Sequence, residues 1–161
     1  MSPPTTARVL SEREFVLEHT FHAPAAKVFA AYTEPHLLAQ WWAPKGGSLD
    51  VEAMDVRPGG RYRFVQRDTN GQESVFVGKY LEVQPVTRLV YTFMVEGQGN
   101  EITASLDLKE SQGRTSLRLT NLCVSKEVRD AMLKYGAAAG AQVAWSRLDE
   151  LLARPPRAPG D

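Results

Sequence analysis

The sequence predicts an α+β domain in which a seven-stranded antiparallel sheet curves around a long C-terminal helix, with two short helices after the first strand. Three observations lead to this class. Apolar and polar residues alternate through the middle of the chain, which is typical of strands with one buried face. Turn-forming pairs such as Asn70-Gly71 separate these strands, and short connections make neighbouring strands antiparallel. The proline-free segment 126–153 has apolar residues at helical spacing.

The predicted elements follow one another in a simple order. The first strand spans about residues 14–21, and Pro24 then precedes the first of two short helices, at about 25–32 and 35–40. Six strands come next, at about 49–56, 61–67, 73–83, 88–95, 101–110 and 114–122. A chain of 161 residues builds about one core, so we expect one domain over residues 14–153. Flexible tails are expected at 1–13 and at the proline-rich segment 154–161.

The last helix is predicted to run without a break from 126 to 153, with Ser125 as its N-cap. Its apolar stripe is expected to lie on the sheet. That stripe consists of Val128, Met132, Tyr135, Ala139 and Val143. We therefore predict that Met132 and Val143 are largely buried, together with the strand residues Leu106 and Leu119.

Composition argues against several classes of function. Nineteen basic and nineteen acidic residues give a formal net charge of zero, which predicts no nucleic-acid partner. No apolar stretch has the length of a secretory signal or of a membrane span. The lone Cys123 has no partner for an internal disulfide bond. These features predict a cytoplasmic protein.

The sequence predicts no metal site and no catalytic centre. His19 and His22 are three residues apart across a strand end, so their side chains are expected to point to different sides and not to chelate one ion. No serine, cysteine or histidine grouping is typical of an activated nucleophile. No cofactor is expected either.

Six short motifs carry a family resemblance. They are FHAPAAKVFAAYTEP (21–35), LAQWWAP (38–44), GGRYRF (59–64), GKYLEV (78–83), RLVYT (88–92) and LDELL (148–152). In this order they resemble the branch of the START and Bet v 1-like superfamily that is named for homology to the activator of Hsp90 ATPase. The resemblance implies the helix-grip fold for residues 14–153. Two departures stand out: a Gly-Trp pair common in the last helix of that branch is Gly140-Ala141 here, and a histidine often found after the last strand's Leu-Thr run is absent from Leu119-Thr120-Asn121.

The centre of the last helix is built from small residues, from Gly136 to Ala141. A curved sheet does not touch a straight helix along its whole length, so small side chains leave space for a ligand. The alternative is that the helix lies closer to the sheet there. The residues expected around a ligand cavity are Trp41, Trp42, Tyr62, Phe64, Tyr91, Phe93, Leu106, Met132, Tyr135, Ala139 and Val143.

Three functions are consistent with these patterns. The first is binding of an apolar or aromatic small molecule between the sheet and the last helix. The second is a cyclase-like or dehydratase-like enzyme in the same cavity, because the superfamily includes such enzymes; a buried acid or base would favour it, and Asp55 and Glu82 are the first carboxylates to consider. The third is a chaperone-associated role, which the family name alone implies. A homodimer is compatible with each of them.

Overall fold

The computed structural model describes residues 5–154. The elements follow one another in the order β1 (Thr6–Val9), β2 (Glu14–Phe21), α1 (Ala25–Thr33), α2 (Pro35–Leu38), β3 (Ser48–Met54), β4 (Arg61–Arg67), β5 (Glu73–Gln84), β6 (Arg88–Val95), β7 (Gly99–Ser111), β8 (Arg114–Leu122), α3 (Lys126–Lys134) and α4 (Ala137–Ala153). None of the helices in this range has the length and hydrophobicity needed to cross a membrane.

All eight strands form one antiparallel sheet in the order β1-β2-β8-β7-β6-β5-β4-β3. From β3 to β8 each strand pairs with the next one along the chain, as the short turns predict. The two short helices carry the chain from β2 to the far edge of the sheet, where β3 begins. Strand β2 therefore pairs with β8, with Leu17 opposite Leu119.

The sheet has one strand more than the seven predicted. The additional strand, β1, lies inside segment 1–13, which the sequence suggests is a tail. Its four residues are all exposed, and it pairs with β2 at the edge of the sheet. An exposed edge strand has no buried alternate residues, so periodicity does not reveal it. Of the predicted C-terminal tail, residues 155–161 lie outside the described residues.

The two faces of the sheet differ as the alternation predicts. The face toward the helices is apolar, and its buried residues include Tyr62, Phe64, Leu89, Tyr91, Ile102, Ala104, Leu106 and Leu117. The opposite face carries exposed ion pairs. Arg63, for example, donates through Nε to Glu52 Oε1 at 2.8 Å across β3 and β4. A sheet that packs on one side only requires helices on that side to bury its apolar residues.

The C-terminal helix is broken, contrary to the prediction. Helix α3 ends at Lys134 with Tyr135 as its C-cap, and α4 begins at Ala137. Gly136 between them has a φ of +105°, in the left-handed region that glycine adopts without steric strain. The predicted apolar stripe lies on one face only if residues 126–153 form one uninterrupted helix. The break at Gly136 changes that phase and so changes which residues of α4 face the sheet.

The burial predictions for this region are partly wrong for the same reason. Val143 is 52% exposed, and Tyr135 at the break is 79% exposed. Leu106, which lies on the sheet, is fully buried as predicted. Leu119 and Met132 are half-buried. The strand residues keep their expected face, whereas the helix residues beyond the break do not.

Replacing Gly136 with alanine is expected to destabilise the protein by about 1 to 2 kcal/mol, because an alanine pays a steric penalty at positive φ. Gly140 is the matched control: an added Cβ meets no heavy atom within 4 Å at either glycine, and Gly140 lies inside α4. Gly140→Ala is expected to stabilise by up to about 1 kcal/mol. Urea unfolding of both variants measures the difference. Equal effects of the two substitutions would contradict the left-handed conformation at Gly136.

Candidate ligand-binding cavity

A cavity of about 360 Å³ lies between the sheet and helices α3 and α4. Its volume is within the range of small-molecule sites in proteins. Strands β2, β5, β6, β7 and β8 contribute one wall, and helix α1, the loop after α2 and the two C-terminal helices contribute the rest. The residues lining it are Phe15, Leu17, Tyr32, Trp41, Trp42, Phe76, Tyr91, Phe93, Ile102, Ala104, Leu119, Asn121, Met132, Gly136, Ala137, Gly140, Ala141, Ala144 and Trp145.

Small residues of α4 create the space on the helix side. Ala137, Gly140, Ala141 and Ala144 lie at helical spacing on one face, and all four line the cavity. Close packing of helix on sheet would leave no room for a Cβ at Gly140. An added Cβ there meets no heavy atom within 4 Å. Gly140 is therefore not required for a close approach of helix and sheet, and together with the three alanines it borders the cavity.

All three tryptophans of the chain line this cavity. Trp41 is 1% exposed, and its indole Nε1 donates to the carbonyl oxygen of Ala31 at 3.0 Å. Trp42 is half-buried and packs edge-on against Phe64, with ring centroids 5.7 Å apart. Trp145 on α4 is buried as well. These rings give the cavity rigid aromatic walls.

Three polar side chains interrupt the apolar lining. Trp145 Nε1 donates to Tyr32 Oη at 2.8 Å, which joins α4 to α1. Asn121 donates through Nδ2 to the carbonyl oxygen of Leu119 at 3.2 Å. Burial, followed by the neighbouring Tyr91, raises the pKa of Tyr32 well above its usual value, and burial also raises the pKa of Tyr91. Both phenols are therefore neutral hydrogen-bond donors at physiological pH.

A second, more open groove of about 500 Å³ adjoins the cavity between α3 and the β6–β7 turn. Phe93, Ile102 and Met132 line both spaces, so they form the boundary between them. Tyr135 lines this outer groove and not the cavity. The outer groove reaches solvent beside Tyr135, which is 79% exposed.

The structure brings together part of the predicted site. Trp41, Trp42, Tyr91, Phe93 and Met132 line the cavity. A much smaller pocket of about 20 Å³ beneath it is lined by two more of the predicted residues, Tyr62 and Phe64, and Leu106 lies in the packed core. Three predicted positions are exposed and lie outside the cavity: Tyr135 at the C-cap of α3, and Ala139 and Val143, which the break at Gly136 turns away from it.

The prediction did not include Tyr32, Asn121 and Trp145. Asn121 continues the inward alternation of Leu117 and Leu119 on β8, so strand periodicity contains the signal that places it on the inner face. Trp145 lies four residues after Ala141 on the cavity face of α4. No local pattern distinguishes Tyr32 from the other apolar residues of α1, because its role depends on contact with Trp145, 113 residues away.

The carboxylates considered for catalysis lie outside the cavity. Asp55 pairs with Arg57 at 2.7 Å at exposed positions, and Glu82 pairs with Arg88 at 3.1 Å at half-buried positions on the sheet. His19 is buried, and its Nε2 lies 3.0 Å from Asp149 Oδ2, so it ties β2 to α4. Within residues 5–154, no three His, Cys, Asp or Glu side chains are grouped as metal ligands.

The antiparallel sheet, the C-terminal helices and the cavity between them define a helix-grip domain. The chain belongs to the family described as Activator of Hsp90 ATPase homolog 1-like protein, whose model matches residues 22–153. The resemblance seen in the short motifs is therefore confirmed. No curated protein matches this sequence.

Solved structures share the fold over nearly the whole chain. A protein from Rhodobacter sphaeroides is 24% identical with a TM-score of 0.88, covering 94% of this chain and 99% of its own. A protein from Mycobacterium smegmatis is 21% identical with a TM-score of 0.84, covering 96% and 100%. A protein from Nitrosomonas europaea is 26% identical with a TM-score of 0.79, covering 89% and 96%. These likenesses support the architecture.

Proposed function

We propose that this domain binds an apolar or aromatic small molecule in the cavity between the sheet and helices α3 and α4. The observation that carries the proposal is the cavity of about 360 Å³ with its wall of small α4 residues. A natural core is packed to high density with few voids larger than a water molecule. A space of this size bordered by aromatic rings is typical of a ligand site.

Binding is favoured over catalysis in this cavity. An enzyme of the cyclase or dehydratase type that removes a proton from its substrate needs a base beside it. Among the described residues that line the cavity, the ionisable side chains are the tyrosines Tyr32 and Tyr91, and burial keeps both protonated, so that they can donate hydrogen bonds but do not act as bases. Asp55 and Glu82 are at the surface. A chaperone-associated role has no support beyond the family name.

The uncharged fluorophore N-phenyl-1-naphthylamine tests this proposal. We expect saturable one-to-one binding, with increased probe emission and a matching decrease in tryptophan emission, because all three tryptophans line the cavity. A titration of the urea-unfolded protein is the control and is expected to show neither change. Mass spectrometry under native conditions then identifies any molecule that the probe displaces. A linear, non-saturating response of the folded protein would rule out the proposed site.

A further inference from the structure

The hydroxyl of Tyr32 can donate a hydrogen bond inside the cavity. Tyr32 is 5% exposed, and its Oη accepts a hydrogen bond from Trp145 Nε1 at 2.8 Å. An indole N–H is a donor only, so this bond uses a lone pair of Oη and leaves the phenolic hydrogen free. Within residues 5–154 no acceptor lies opposite that hydrogen. The Trp145 contact also fixes where the hydroxyl lies.

The hydroxyl of Tyr91 is a second free donor. Tyr91 Oη has no hydrogen-bond partner among the described residues. Every fully buried side-chain nitrogen or oxygen in this part of the chain does have a partner. Tyr91 Oη must therefore reach solvent-accessible space. Tyr91 as a whole is only 7% exposed and lines both the cavity and the small pocket beside it, so the space that it reaches is internal.

The third polar side chain is only partly used by the protein. Asn121 donates one N–H of Nδ2 to the carbonyl oxygen of Leu119, which leaves its second N–H and its Oδ1. Because an amide can both donate and accept, Asn121 does not by itself favour one kind of ligand group, and the inference rests on the two phenols. Because burial raises the pKa of Tyr32 and that of Tyr91, both keep their hydrogens at physiological pH.

The charge of the lining residues narrows the class of ligand further. No Lys, Arg, Asp, Glu or His is among the described residues that line the cavity. A charged ligand group would lose its hydration there without gaining an opposite charge. A pure hydrocarbon would bury two hydroxyls without partners, which is also unfavourable. A carbonyl oxygen carries no net charge and has two lone pairs, so that it can accept from both phenols.

We propose that the ligand of this cavity is an uncharged molecule with a carbonyl group, and that Tyr32 and Tyr91 donate to its carbonyl oxygen. This inference rests on the proposed binding function and narrows its ligand class. The aromatic rings around the hydroxyls then hold the apolar body of the molecule.

Three probes on one scaffold test the inference by equilibrium dialysis. They are the ketone 2-acetylnaphthalene, the hydrocarbon 2-isopropylnaphthalene of similar shape, and the anion 2-naphthoate. We expect the ketone to bind at least about tenfold more tightly than the hydrocarbon, which corresponds to about 1.4 kcal/mol. We expect no binding of 2-naphthoate at concentrations that saturate the ketone.

Phenylalanine substitutions assign the preference to the two hydroxyls. Tyr32→Phe and Tyr91→Phe each remove one donor and keep the ring, so each is expected to reduce the ketone preference at least about threefold, and the double variant to abolish it. Binding of the hydrocarbon is expected to stay the same or to become tighter, because it no longer buries an unpaired hydroxyl. Tyr80→Phe is the control, because Tyr80 is 3% exposed and lies outside the cavity. Tyr91→Phe leaves no protein group unpaired, so it remains informative if the loss of the Trp145 contact destabilises Tyr32→Phe.

The outcomes separate the inference from the proposed function. Equal binding of ketone and hydrocarbon by the parent protein would overturn the carbonyl inference and leave apolar binding intact. Tightest binding of 2-naphthoate would overturn the uncharged class. If none of the three probes binds, the proposed function itself fails, and the inference fails with it.

Discussion

Replacing Ala141 with leucine is expected to weaken binding of the uncharged probe at least about tenfold, because the larger side chain fills space that the ligand uses. Stability is expected to stay the same or to rise, since each CH₂ buried in an open cavity contributes up to about 0.8 kcal/mol. In a tightly packed interior the same substitution would instead cost about 1 to 3 kcal/mol. Probe titration and urea unfolding of the one variant measure both quantities.

Ala139→Leu is the matched control for this experiment. Ala139 lies on the same helix two residues earlier, but it is exposed and does not line the cavity. We expect its leucine variant to bind the probe like the parent protein. Equal loss of binding in the two variants would contradict the assignment of Ala141 to the cavity face. A clear loss of stability in Ala141→Leu, with no probe binding by the parent, would mean that the cavity is closed in solution.

Replacing Leu106 with alanine is expected to cost about 2 to 5 kcal/mol of unfolding free energy. Leu106 is fully buried on the central strand β7, with Leu89 and Leu119 opposite it on the neighbouring strands. Deleting its side chain leaves a void that such a sheet cannot close. Urea unfolding followed by far-UV circular dichroism measures the loss, and an unchanged m-value would show that the denatured state is not affected.

Met132→Ala provides the comparison inside the same molecule. Met132 is half-buried and borders both the cavity and the outer groove, so its removal enlarges space that is already open. We expect a loss below about 2 kcal/mol, and clearly below that of Leu106→Ala. Equal losses in the two variants would indicate that Met132 is packed as a core residue and that the cavity does not extend to it.

The break at Gly136 also separates two walls of the cavity. It divides the C-terminal segment where the cavity meets the outer groove, and Gly136 itself lines the cavity. Helix α3 carries Met132 at the boundary of the two spaces, whereas α4 carries the small residues that border the cavity. The two walls therefore belong to separate helices joined at one glycine, and substitutions on α3 and α4 test different parts of the site.

The sheet side of the site was predictable because strand periodicity is a local and strict property. Successive side chains of a strand alternate between the faces, so Tyr91 and Phe93 on β6 share the inner face once the strand is recognised. Turn chemistry behaves in the same way: Asn70-Gly71 marks a turn, and Gly71 has a φ of +81°. The family motifs depend on sequence alone as well, and they predict the helix-grip fold that the structure contains.

The sequence by itself thus determined the α+β class, the hairpin order and the inner face of the strands, whereas the tertiary structure decided the helix side of the site. Whether α3 and α4 form one helix depends on the φ of Gly136, since glycine adopts both signs of φ and packing on the sheet selects one. That choice turned Val143 to solvent and Ala141 to the cavity. The Tyr32–Trp145 contact joins residues 113 positions apart, and such contacts arise from packing and not from any local pattern.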